Sequence, residues 1–136
     1  MPQRRRVPCV GALVYDAAGR LLLVRRTRPP AAGSWSLPGG RVEPGETDAR
    51  AVAREVQEET GLDITVGALV GVVEQDGPDG AVYEIRDYAC EVRGGTLRPG
   101  GDAGDARWVS REELTTLPTS PGLVETLAGW RALPRS

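Results

Sequence analysis

The sequence predicts a single mixed α/β domain, and three observations support that prediction. Short β-branched apolar runs recur at 7–15, 21–24, 64–73 and 82–92. A stretch of helical period lies between them at 47–60, and no linker long enough to split the 136 residues interrupts the series. The order is β-β-α-β-β-β-α-α, which calls for a mixed sheet covered by helices.

Val7 to Tyr15 and Leu21 to Val24 read as strands of a hairpin turning at Asp16-Ala17-Ala18-Gly19. Residues 27–34, Thr-Arg-Pro-Pro-Ala-Ala-Gly-Ser, sustain neither helix nor strand, and Leu37-Pro38-Gly39-Gly40 is a second break. From Thr47 the period turns helical as far as Thr60, with Thr47 or Asp48 as cap and Gly61 as stop. Ile64 to Val73 and Val82 to Val92 are strands around the turn Gln75 to Gly80, followed by a long loop at 94–104. Arg107-Trp108-Val109 is a short strand, Ser110-Arg111-Glu112-Glu113 opens a helix as a capping box, and a last helix runs from Pro121 to Leu133.

The composition removes whole classes of chemistry. There is no His and no Lys, so all 17 basic residues are Arg. Without His, neither a Ser-His-Asp nor a Cys-His site can be built, nor any His-ligated metal. Without Lys, the Walker-type lysine and Schiff-base chemistry are excluded. Cys9 and Cys90 are too few for a disulfide framework and read as buried thiols of a cytoplasmic protein. No run approaches the roughly 18 apolar residues that span a bilayer, and Val7 to Val14 is too short for a signal segment. Charge is split along the chain: residues 1–42 hold eight Arg and one acid, while 43–136 hold nine Arg and eighteen acids. The Arg4-Arg5-Arg6 run reads as a solvated terminus rather than a nucleic-acid contact, because no RNA-binding motif accompanies it.

Within the helical stretch, Glu55, Glu58 and Glu59 fall on one face, within roughly 100° of arc. Ala49, Val52, Ala53 and Val56 form the neighbouring stripe, which can pack on a sheet. Carboxylates at this spacing repel one another. A divalent cation compensates them, and Mg²⁺ or Mn²⁺ suits an all-oxygen set better than zinc. The competing reading is an ordinary solvated acidic face. Arg54 and Glu46 beside the carboxylates, and backbone left accessible at Gly39-Gly40, favour the cation.

Residues 40–62 resemble the signature of the Nudix hydrolases, G-x5-E-x7-R-E-U-x-E-E-x-G-U with U apolar. The matched positions are Gly40, Glu46, Arg54, Glu55, Val56, Glu58, Glu59, Gly61 and Leu62. Trp35 to Gly40 and Ala106 to Val109 are also similar to the family. The resemblance implies an α/β/α sandwich, one domain over 1–136 with a flexible basic N-terminus at 1–6. It implies that Glu55, Glu58 and Glu59, with the main-chain carbonyl of Gly39, hold Mg²⁺ (or Mn²⁺). One of these glutamates would orient or deprotonate the attacking water, with Arg54 and Glu46 as supporting pair and Gly40 beside them.

The implied reaction is hydrolysis of a diphosphate bond in a nucleoside diphosphate linked to another group. Nucleoside triphosphates, oxidised ones included, and ADP-ribose or nucleotide sugars are the two substrate classes. Glu84, Asp102 and Asp105 are candidates for a further acid, with Asp102 preferred. Arg25, Arg26, Arg28 and Arg41 are candidates to meet phosphate; of Arg25 and Arg26, one should face the cleft and the other solvent. Trp35 is the candidate to stack on a base, whereas Tyr83 and Tyr88 read as strand aromatics. Dimers are common in the family, which leaves a homodimer open. The alternatives to an enzyme are a catalytically silent nucleotide-sensing module and an RNA-binding protein.

Overall fold

The computed structural model describes residues 4–28 and 32–136. The middle of the expected 27–34 loop (29–31) and the first three residues of the N-terminus lie outside the described residues. Strands β1 (Arg6–Val14), β2 (Leu21–Arg26), β3 (Trp35–Ser36) and β4 (Gly39–Arg41) precede helix α1 (Asp48–Thr60). Then come β5 (Leu62–Asp76), β6 (Val82–Gly95), β7 (Ala103–Val109), α2 (Arg111–Leu114) and α3 (Leu123–Gly129). One sheet has the order β4-β1-β6-β5, with β1 and β6 parallel; the other is antiparallel, in the order β3-β2-β7.

Alternation along β1 and β2 builds the layers. Val10, Ala12, Val14 and Leu22 pack with Val52, Val56 and Leu62 around α1. Leu13, Leu21 and Leu23 face the other way, onto Trp35, Val109, Leu114 and Leu127. Strands buried on both faces between helices make the expected α/β/α sandwich with a mixed sheet. Full burial of Val52 and Val56 contributes about 1.5–3 kcal/mol each, which fixes the rotation of α1 and so the face that carries its glutamates.

Helix α1 begins and ends as expected. The Thr47 hydroxyl accepts from Arg50 N at 3.2 Å, and Gly61 takes φ 75° as it donates to the Gln57 carbonyl. The Ser110–Glu113 capping box is also present.

Four expectations require correction. The Asp16–Gly19 turn forms, but among the described residues β1 and β2 share no ladder beyond the adjoining Tyr15–Leu21 bridge and enter different sheets. Both edges of β1 are already taken, by β4 and β6. The stretch around Leu37-Pro38 is not simply a break, since the two- and three-residue strands β3 and β4 flank it, paired to β2 and β1. The buried stripe of α1 is Ala51, Val52, Val56 and Thr60, while Ala49 is exposed and Ala53 half-buried. The last helix spans only Leu123–Gly129, because Gly122 at φ 80° starts it and Arg131 at φ 57° turns the chain beyond it.

Candidate functional site

Strand β4 is jammed against β1 so closely that a Cβ on Gly39 would sit 2.1 Å from the Val10 carbonyl oxygen. That approach brings the Gly39-Gly40 backbone to the C-terminal half of α1. Gly39 N–H donates to Glu59 Oε1 at 3.0 Å. A Cβ on Gly40 would stand 2.7–2.8 Å from the carboxylate atoms of Glu55. Two carboxylates therefore converge on a glycine pair that leaves room for them.

Arg54 braces the cluster. Its Nε and Nη2 grip Glu46 bidentately at 2.8 and 3.0 Å, while Nη1 donates to Glu55 Oε1 at 2.8 Å. Nη2 also donates to the Arg41 carbonyl at 3.1 Å, which ties α1 to β4. Hydrogen bonding from Arg54, then from Glu43 N–H, lowers Glu46 to about 2. Glu58 stands apart: its side chain is 51% exposed and reaches Arg54 only at 3.5 Å. Burial, above all, raises Glu59 to about 8 against the Gly39 hydrogen bond, and the neighbouring Glu55 and Asp102 add to the rise. A buried carboxyl beside two others resists ionisation, and a cation would reverse that.

The loop after β6 closes the far side. Gly100 N–H donates to the Glu59 carbonyl at 3.2 Å, and a Cβ on Gly100 would lie 2.5 Å from the Glu58 carbonyl oxygen. Asp102 is thereby brought within electrostatic reach of Glu59, with its carboxylate 3.2 Å from Arg28. Glu84, by contrast, is held in ion pairs with Arg86 at 3.0 Å and Arg6 at 3.1 Å.

Of the expected phosphate contacts, Arg25 is half-buried with Nη2 on the Gly104 carbonyl at 3.3 Å, and Arg26 is exposed. Arg41 is exposed beside the glycine pair, lies 5.1 Å from the centroid of the Tyr83 ring and donates to its hydroxyl. Trp35 is not an open stacking platform. It is 5% exposed in the core, with Arg107 5.6 Å from its ring centroid. The one large side chain of this two-residue strand is used for packing, beside Leu13, Leu23 and Leu127.

Sequence reasoning missed the anchor at the start of α1. Asp48 accepts from Arg86 twice at 2.6 Å and from the Tyr88 hydroxyl at 2.5 Å. The pairing of Arg86 and Tyr88, at alternate positions on β6, was a signal for one shared face. Among the described residues no three His, Cys, Asp or Glu side chains form a ready-made metal cage. Glu55 and Glu59 are together, whereas Glu58 is turned toward Arg54.

The model of the NUDIX domain matches residues 5–128. The chain belongs to the Nudix family. A relative in Methanocaldococcus jannaschii named ADP-ribose pyrophosphatase is 39% identical, over 76% of this Nudix chain and 62% of its own length. The chain thus spans under two thirds of that relative. An Escherichia coli relative named CTP pyrophosphohydrolase is 30% identical and matches over 91% of both chains. The crystal structure of a MutT protein from Methanosarcina mazei superposes with a TM-score of 0.78, at 26% identity over 96% of both chains. No helix among the described residues is long and apolar enough to cross a membrane.

Proposed function

We propose that this Nudix domain is a pyrophosphohydrolase that cleaves the diphosphate linkage of a nucleotide with a divalent cation, Mg²⁺ or Mn²⁺. The observation that supports this is the meeting of Glu55 and Glu59 at Gly39-Gly40, braced by Arg54 and Glu46. The donor set is all oxygen, and burial, with Glu55 and Asp102 nearby, holds Glu59 back from ionising, a cost that a hard cation would offset. Glu55, Glu58, Glu59 and the Gly39 carbonyl are the groups that would hold it. When bound, it supplies charge neutralisation on the phosphate oxygens and a more acidic water.

The protein's own contributions follow from placement. Arg54 fixes the carboxylate of Glu55 and keeps Glu46 ionised, acting through them and not on substrate. Glu58, the most exposed of the three, orients water and takes its proton. Arg41 at the cleft edge, and the half-buried Arg25 before it, meet phosphate by charge-assisted hydrogen bonds. Asp102 adds an acid on the far side of Glu59.

The test is a panel of nucleoside triphosphates, oxidised triphosphates, dinucleotides and nucleotide sugars, assayed with Mg²⁺ and Mn²⁺ and the products identified by mass. The expected result is cleavage between phosphates that stops in EDTA. Absence of metal-dependent phosphate or pyrophosphate release from every nucleotide defeats the proposal.

A further inference from the structure

On the face of the sheet turned away from α1, strand β6 presents Tyr83, Ile85, Asp87 and Ala89, so a carboxyl interrupts an otherwise uncharged row. Asp87 pairs with Gly11 on β1 and with Gly71 on β5. Both neighbours are bare because something already lies over them. A Cβ on Gly11 would meet Asp87 Oδ1 at 2.2 Å, and one on Gly71 would meet the Trp130 ring at 2.2 Å. Three adjacent strands thus form a flat floor bearing one carboxyl and walled by one indole.

Asp87 is 5% exposed, and its Oδ1 has no hydrogen-bond partner among the described residues. Burial raises it to about 7. An unmet buried acceptor costs about 1–3 kcal/mol, and a fold that needed only packing here would be better served by an apolar side chain. The same Gly11 pairs on its other side with Gly39, whose N–H holds Glu59. At about 4.8 Å per strand, Asp87 lies roughly 10 Å across the sheet from that end of the site. This is the scale of a nucleotide from base to phosphates.

We propose that the Gly11–Asp87–Gly71 floor is the base-reading end of the cleft, and that the Asp87 carboxylate accepts the two adjacent N–H donors of a guanine edge. The inference rests on the nucleotide reading above and adds the substrate class to it. A carboxylate only accepts, so it needs donors, and among the described residues none reaches Asp87 Oδ1. Guanine offers ring N–H and exocyclic amino side by side, whereas adenine and cytosine place an acceptor ring nitrogen beside the amino group, and hypoxanthine keeps the ring N–H but has no amino group. Oxidation at the opposite edge of guanine leaves the pair intact. Trp130, at the end of α3, supplies an aromatic wall for the ring.

The test compares GTP with ITP, which lacks only the exocyclic amino group, at pH 8 with Mg²⁺. The expected kcat/KM ratio is about tenfold or more in favour of GTP. Asp87→Asn keeps the side chain's shape but turns a donor toward a donor, and is expected to bring the ratio to within about twofold while ITP hydrolysis persists. A second readout needs no hydrolysis: GMP is expected to quench tryptophan fluorescence at least tenfold more tightly than IMP in wild type, and equally in Asp87→Asn. Lack of turnover with any nucleotide would defeat the hydrolase reading alone, because the GMP–IMP difference still reports on the base. Equal responses to GMP and IMP in wild type, or a preference that survives in folded Asp87→Asn, overturns the assignment.

Discussion

Two neighbouring glycines separate the site from the fold. In Gly40→Ala the new methyl would lie 2.7–2.8 Å from the Glu55 carboxylate, where ordinary contact begins near 3.4 Å. The carboxylate must therefore retreat by roughly 0.6 Å, and as the end of a flexible side chain it can do so. A displacement of about 1 Å at a reacting centre costs on the order of a hundredfold. Gly40→Ala should accordingly lower kcat/KM by about ten- to a hundredfold, equivalent to ~1.4–2.7 kcal/mol, with stability changed by less than about 1 kcal/mol. In Gly39→Ala the methyl meets backbone instead, at 2.1 Å from the Val10 oxygen and 2.8 Å from Gly11 Cα. Neither can yield without parting β4 from β1, so the loss is about 3 kcal/mol or more, a fall in Tm of roughly 10 °C. Thermal melting and steady-state kinetics on the same two preparations decide the matter. A fully active Gly40→Ala protein, or a Gly39→Ala protein with wild-type Tm, refutes the reasoning.

Further predictions concern the helix and its acids. Glu58→Gln should abolish most turnover, by a hundredfold or more in kcat, and leave Tm within about 2 °C because the side chain is 51% exposed; loss of folding instead would remove Glu58 from the chemistry. Thr47→Ala removes the cap that holds Arg50 N–H and should cost about 1 kcal/mol by urea denaturation, with kcat/KM unchanged per folded molecule. Stability without metal should peak near pH 4–5. Glu46, lowered to about 2, contributes stability that is lost as pH falls toward that value. Glu59 and Asp87, raised to about 8 and about 7, bind more protons folded than unfolded, so their contribution is lost as pH rises toward those values. Urea midpoints in EDTA that climb steadily from pH 5 to pH 8 would contradict this.

Helix α1 was legible because its signals are local: Thr47 and Gly61 mark its ends and the period of Val52 and Val56 sets its face. The glutamates, their Arg54 brace and the glycine pair follow from one short stretch, 39–62. Non-local pairing was not legible. Nothing between Asp16 and Gly19 reveals that β1 prefers β6, some 70 residues away in sequence, to its neighbour β2. Short strands such as β3 and β4 exist only because a ladder partner is present, and their Pro and Gly content reads as a break. Trp35 was misplaced because burial is decided by α3 and Arg107, both far along the chain. Asp87 left a trace in the sequence, as the charged member of the Tyr83, Ile85, Ala89 phase, but its isolation appears only once Gly11 and Gly71 flank it.

The central claim is that Glu55 and Glu59, brought together at Gly39-Gly40, form the seat of a divalent cation. Titration of Mn²⁺ into the protein at pH 8, followed by electron paramagnetic resonance of the free ion, tests it most directly. Wild type should remove Mn²⁺ from solution at a saturable site, and Glu59→Gln should weaken that binding at least tenfold while the fold is kept. Equal binding by the two proteins, or none by either, would contradict the account.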